Sequence, residues 1–228
     1  MPCCLVGSEM CIRDRRTFEQ EYLAQFVSYS GVIYYAFGSH NIAKWPHEIK
    51  QNMPLHIGMD FNVDPGAATI GIVHGLGLHI IDEVEIFGTD TREMVREIQE
   101  RFPGHKYNVY PDASGAQRRT SAGGVTDHLI LKNAGFKLHV GSINPSVKDR
   151  IGAVNSCLKE DNMRLTIDPK CVKIINGFRK QVYKEGTRQP DKNSGLDHMM
   201  DAIGYCVNNL YPVKQNIQRS RGPVHRTL

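Results

Sequence analysis

No window of this sequence holds the unbroken apolar run of about 18 or more residues that a membrane span requires. The longest apolar stretches, such as Val32 to Phe37, are far shorter. A secretory signal is also missing, because Glu9, Arg13, Asp14 and Arg15 interrupt any apolar core near the N-terminus. The 21 glycines and 11 prolines are scattered rather than clustered, which excludes collagen-like and linker-rich architectures. Internal repeats and low-complexity segments are absent as well. What remains is an ordinary globular composition, 40% hydrophobic and 23% charged over 228 residues, enough for one sizeable domain with an appendage.

Net charge is scarce too. Lys and Arg number 28 against 24 Asp and Glu, a balance of +4. Lys214, Arg219, Arg221 and Arg226 lie in residues 213–228 with no acid, so a basic tail, expected to be flexible, carries the whole excess. Global charge therefore identifies no nucleic-acid partner. Locally, Lys170, Lys173, Arg179, Lys180, Lys184, Arg188 and Lys192 face only Glu185 and Asp191. Such a segment either follows a phosphate backbone or forms a solvated basic helix face.

Residues 1–15 read MPCCLVGSEMCIRDR and hold Cys3, Cys4 and Cys11, yet no second Cys or His pair follows at zinc spacing. One back-translation of Leu5 to Asp14 resembles a transposase adapter used in sequencing libraries. This stretch is therefore expected to be a non-native leader joined to a truncated gene. The other cysteines, Cys157, Cys171 and Cys206, are widely spaced and expected to be reduced, as in a cytoplasmic protein. Residues 16–52 form a short lead-in, EQEYLAQF then GVIYYAF, too small for a core of its own.

From residue 53 to 212 the pattern is that of one domain. LHIGMDFNV, ATIGIVHG and LHIIDEVEIFG read as an antiparallel meander broken at Asp64-Pro65-Gly66 and Gly75-Leu76-Gly77. Thr89 or Asp90 caps a helix, TREMVREIQERF, with Met94, Val95, Ile98 and Phe102 on one face. A strand KYNVYPD, a polar Ser/Gly/Arg loop, a helix near 125–133 and a short strand KLHV follow. SVKDRIGAVNSCLKE is amphipathic through Val147, Ile151, Val154 and Leu158, and a last helix spans 195–210. The expected fold class is α/β, a mixed sheet of three antiparallel and then parallel strands flanked by helices.

Three carboxylates stand out by position. Asp60 lies within an apolar strand, where a charge is costly unless paired; the alternative is a strand-end Asp turned to water. Asp112 closes the fourth strand, the end at which α/β sheets bind ligands, or serves a simple turn. In DHMMDAIGY, Asp197 and Asp201 share one helix face beside His198, and their repulsion calls for a cation between them. Ser194-x-x-Asp197 also has the form of a capping box. One strand, one strand-end and one helix aspartate are the set a two-metal phosphoryl-transfer site requires, with hard oxygen ligands suited to Mg²⁺ or Mn²⁺.

GMDFNVDPG, VYPDASG and DHMMDAIGY, in this order after EQEYLAQF, resemble the C-terminal nuclease domain of tailed-phage terminase large subunits. The resemblance implies an RNase H/integrase-like fold and a metal-dependent endonuclease that cuts concatemeric viral DNA during packaging in the bacterial host cytoplasm. It implies Asp60, Asp112 and Asp201 as the catalytic, metal-binding triad, with His198 and Asp197 as accessory ligands and Asp64 as a weaker one. Double-stranded DNA is the implied partner, contacted by Lys180, Lys184 and Arg188 or by Arg118 and Arg119. The portal and the small terminase subunit are implied partners of the intact protein. No G-x-x-x-x-G-K-[ST] occurs, so ATP-driven translocation is not assigned, and residues 16–52 read as the remnant of an upstream ATPase. The competing readings are another RNase H-like nuclease, of resolvase or transposase type, and a non-catalytic DNA or portal docking module.

Overall fold

The structure, a computed structural model, describes residues 31–62, 64–117 and 125–213. The expected leader and most of the basic tail, as well as Arg118 and Arg119, lie outside the described residues. The architecture is the expected one. A mixed six-stranded sheet of order β5-β4-β1-β2-β3-β6 is built from β1 (Leu55–Asp60), β2 (Gly66–His74), β3 (Gly77–Ile86), β4 (Tyr107–Pro111), β5 (Lys137–Leu138) and β6 (Leu165–Ile167). The first three strands form the antiparallel meander. Their tight β2–β3 turn uses Gly75 at φ +58°, a conformation open to glycine at little steric cost. β4 then adds parallel to β1, β5 parallel to β4, and β6 parallel to β3.

Among the described residues five α-helices cover the two faces: α1 (Thr91–Arg101), α2 (Asp127–Asn133), α3 (Val147–Leu158), α4 (Val172–Lys180) and α5 (Asp197–Leu210). Asp90, not Thr89, caps α1 by accepting from Glu93 N at 2.9 Å. Strand alternation sorts the core into two layers. Leu55, Ile57, Met59 and Val109 pack with Met94, Val95 and Ile98 of α1 and Leu131 of α2. On the other face, Leu78, Ile80 and Tyr110 pack with Val154 of α3, Phe178 of α4 and Ile203 of α5.

Two elements, β6 and α4, go beyond the expected pattern. The stretch 31–45, which reads in the sequence as part of a separate lead-in, packs as part of the domain. Ile33, Tyr34 and Ala36 are buried in the α3–α5 layer. Asn155 stitches them in, accepting from Ala36 N (3.3 Å) and donating to Ile33 O (3.1 Å). Asn41 donates to Leu158 O and Leu165 O, tying the same stretch to the end of α3 and to β6.

Candidate functional site

The site grows from strand parity. Leu55, Ile57 and Met59 fill one core layer, so His56, Gly58 and Asp60 face the other, where α5 lies. In β4 the same parity buries Tyr107 and Val109 beneath α1 and α2 and turns Tyr110 and Asp112 toward α5. Because β1 and β4 run parallel with Met59 beside Pro111, Asp60 and Asp112 end adjacent strands at one edge. Asp112 N donates to Met59 O at 3.0 Å, fixing that register.

α5 closes the group from above. A Cβ on Gly58 would stand 2.0 Å from Ala202 O, so only glycine lets the helix backbone rest on β1 here. That contact brings His198 and Asp201 to Asp60. His198 Nδ1 lies 3.0 Å from Asp60 Oδ2, and Asn62 Nδ2 is 3.0 Å from His198 Nε2. The hydrogen bond with Asp60 raises the His198 pKa above its ordinary value, against the opposing effect of burial. Burial pushes the Asp201 carboxyl up; Arg150 opposes this and the Asp60 carboxylate adds to it.

Asp112 is held differently. Its Oδ1 accepts from Asn144 Nδ2 (2.6 Å) and Ser114 N (2.7 Å), at the start of the short 3₁₀ turn Ala113–Ala116. Burial alone would raise its pKa, but the bonds from Asn144, Ser114 and Tyr205 hold it below the usual carboxylate range. Arg150 of α3 supplies the site's buried cation. Its Nη1 is 2.8 Å from Asp201 Oδ1, and its guanidinium lies 4.4 Å from the centroid of the Tyr205 ring.

The structure thus gathers Asp60, Asp112, Asp201, His198 and Asp197 at one edge of the sheet. Among the described residues, however, no three His, Cys, Asp or Glu side chains lie close enough together to hold one metal ion. Each aspartate of the trio has a partner of its own: His198, Asn144 with Ser114, or Arg150. The donors suit a hard divalent ion in kind.

One reading changes. Ser194 does not cap the last helix, because Gly195 takes φ +65° and Leu196 is the N-cap. Asp197 opens α5 buried, 3% exposed, with Oδ2 3.3 Å from Lys192 Nζ. Asp64 accepts from Gly88 N (2.6 Å) at the turn after β3. Residues 182–191 form a hydrogen-bonded hairpin: Tyr183 bridges Pro190, Lys184 N donates to Gln189 O and Asp191 N to Val182 O. Lys180, Lys184 and Arg188 are exposed on or beside it. Lys170 and Lys173 instead face Asp82 and Glu85.

Arg150 and Asn144 join the site although none of the acidic motifs contains them, and Tyr205 joins it from the end of DHMMDAIGY. Arg150 had a signal, standing between Val147 and Val154 on the apolar stripe of its helix. Tyr205 had one too, a turn beyond Asp201. Asn144 sits in a loop and had none.

The model of the terminase RNaseH-like domain family matches residues 57–210 of this chain. No curated protein sequence matches it. Among solved structures, the large terminase of a thermophilic bacteriophage is similar at TM-score 0.66 and 18% identity, over 90% of this chain and 52% of that one. The nuclease domain of the P22 large terminase follows at TM-score 0.61 and 16% identity, covering 80% and 95%. The large terminase nuclease of thermophilic phage G20c, with bound magnesium, matches at TM-score 0.55 and 13% identity, covering 78% and 97%. The chain therefore spans about half the length of the first of these proteins and nearly all of the isolated P22 and G20c domains.

Proposed function

This chain belongs to the terminase RNaseH-like domain family, and on that premise we propose that it is the nuclease part of a phage packaging machine. It is a divalent-metal-dependent endodeoxyribonuclease that cuts concatemeric viral DNA in the host cytoplasm. The observation that supports this reading is that Asp60 and Asp112 end the adjacent parallel strands β1 and β4, with Asp201 of α5 near Asp60. Bound magnesium is a feature of the G20c nuclease, which shares this fold.

Asp60, Asp112 and Asp201 would hold two Mg²⁺ or Mn²⁺ ions, with His198 and Asp197 as accessory groups. Such ions supply Lewis-acid stabilisation of the phosphate and a water activated for attack. The chain's own residues prepare the edge. Asn144 and Ser114 keep Asp112 ionised and oriented, and His198 orients Asp60. Arg150 neutralises Asp201. Lys180, Lys184 and Arg188 bind duplex DNA through its phosphates, without sequence preference. In the whole protein, the portal and the small subunit are the further partners.

A plasmid-nicking assay tests this. Nicking or linearisation is expected with Mg²⁺ or Mn²⁺ and should stop with chelator. Cleavage that persists in chelator overturns the metal-dependent reading. DNA binding without cleavage under any divalent ion favours a docking module.

A further inference from the structure

Arg150 is 7% exposed. A buried guanidinium ordinarily directs its N–H groups at acceptors. Here Nε and Nη1 make no hydrogen bond, although Nη1 lies close enough to Asp201 to pair with it electrostatically. Two acceptors are in the same condition: Gln181 Oε1 and Asp197 Oδ1 are fully shielded and without a hydrogen-bond partner. Arg150, Gln181, Asp197 and Asp201 all line one cavity of about 10 Å³, room for at most a single water. Four of the seven buried unpartnered side-chain atoms among the described residues belong to this cavity's walls. The deficit is therefore local: two donors without acceptors beside two acceptors without donors.

The charges explain why an arginine sits there. Asp201 is partly buried and near Asp60, and two carboxylates so placed repel. A guanidinium stays protonated at any working pH, so it cannot leave Asp201 by losing its charge. It can leave only by turning to other acceptors, and Gln181 Oε1 and Asp197 Oδ1 are the unsatisfied ones in the same cavity wall.

We propose that Arg150 is the resident counter-ion of Asp201 and gives way to a divalent cation by turning toward Gln181 and Asp197. This rests on the reading of Asp60, Asp112 and Asp201 as the metal-binding set. Arg150 is then a positioning residue that keeps Asp201 charged and in place until the ion arrives. It also sets the ion's affinity, because metal and guanidinium compete for one carboxylate.

Calorimetric titration of the full chain with Mn²⁺ tests the exchange without reference to cleavage. Arg150→Gln should bind Mn²⁺ about ten-fold more tightly than the wild type, an ordinary size for coupling between competing ligands. Gln181→Leu, which removes an acceptor for the displaced arginine, should bind more weakly. Unchanged or weaker binding in Arg150→Gln overturns the exchange while leaving the metal site intact. A wild-type chain that binds no Mn²⁺ overturns the metal reading itself, and the exchange with it. Should Arg150→Gln fail to fold, wild-type crystals with and without Mn²⁺ decide. The 2.8 Å contact between Arg150 Nη1 and Asp201 Oδ1 should open when the ion is bound; a contact unchanged beside a bound ion overturns the proposal.

Discussion

Gly58 and Ala202 touch through their backbones: a methyl group on Gly58 would lie 2.0 Å from the Ala202 carbonyl oxygen. Ala202 directly follows Asp201, so this contact sets the height of the third aspartate above β1. Gly58→Ala should push α5 away from the sheet. The cost should reach about 3 kcal/mol or more, the upper end for overpacking, because backbone cannot rotate aside as a side chain can. A shift of about 1 Å at a catalytic group can cost about 10²-fold in rate. Urea unfolding and nicking rates measure both; wild-type values for both would refute the contact.

Asp60→Asn should leave the fold intact and abolish metal-dependent nicking, since the amide keeps the shape and loses the charge. It also removes the bond that raises the His198 pKa. A histidine whose folded pKa is raised contributes stability that is complete below the unfolded value of about 6.5 and lost as pH rises through the folded value. The unfolding free energy of wild type relative to Asp60→Asn should therefore decline as pH rises above about 6.5. Relief of repulsion with Asp201 offsets the curve in the mutant's favour without reversing that slope. A difference that grows with pH would contradict the pairing.

Asn144→Ala should expose the dependence of Asp112 on its donor. Losing the 2.6 Å bond should cost about 1 kcal/mol at neutral pH, because Asp112 is only half-buried and water partly replaces the amide. Asp112 has a lowered pKa, so this stabilisation is present above the unfolded value and disappears as pH falls through the folded one. Denaturation at about pH 7 and about pH 3 should show the wild-type advantage shrinking in acid.

Neutralising Lys180, Lys184 and Arg188 together should weaken duplex binding about equally for all sequences. Removing each phosphate interaction should flatten the salt dependence by roughly 0.9 in slope. Pro190 and Gln181, at this hairpin, line the same cavity as Asp201, so DNA held by these bases would pass beside the candidate site. An unchanged slope would move the DNA path to Arg118 and Arg119.

Much of this protein is local, and the sequence determined that part. Alternation in LHIGMDFNV already places Asp60 opposite Ile57 and Met59, and the packing keeps that parity. The apolar stripe of SVKDRIGAVNSCLKE becomes α3, and the ordered aspartate motifs lie on the strand, strand end and helix expected for them. Periodicity survives folding because it is a property of one element's own geometry. Boundaries and partners survive less well. β6 has three residues, too few to show a period, and α4 presents as a run of bases although Ile174, Ile175 and Phe178 bury one face. Capping at Ser194 fails on a single dihedral, the left-handed Gly195. The stretch 31–45 of the lead-in belongs to the core through Asn155, more than a hundred residues away. Arg150 reaches Asp201 and Asn144 reaches Asp112 because helix packing and loop closure bring distant segments to one edge. Sequence thus decides which groups are charged and which face they occupy. Which partner answers each carboxylate depends on distances that only the packed structure sets, since the interaction depends on separation in space and not along the chain.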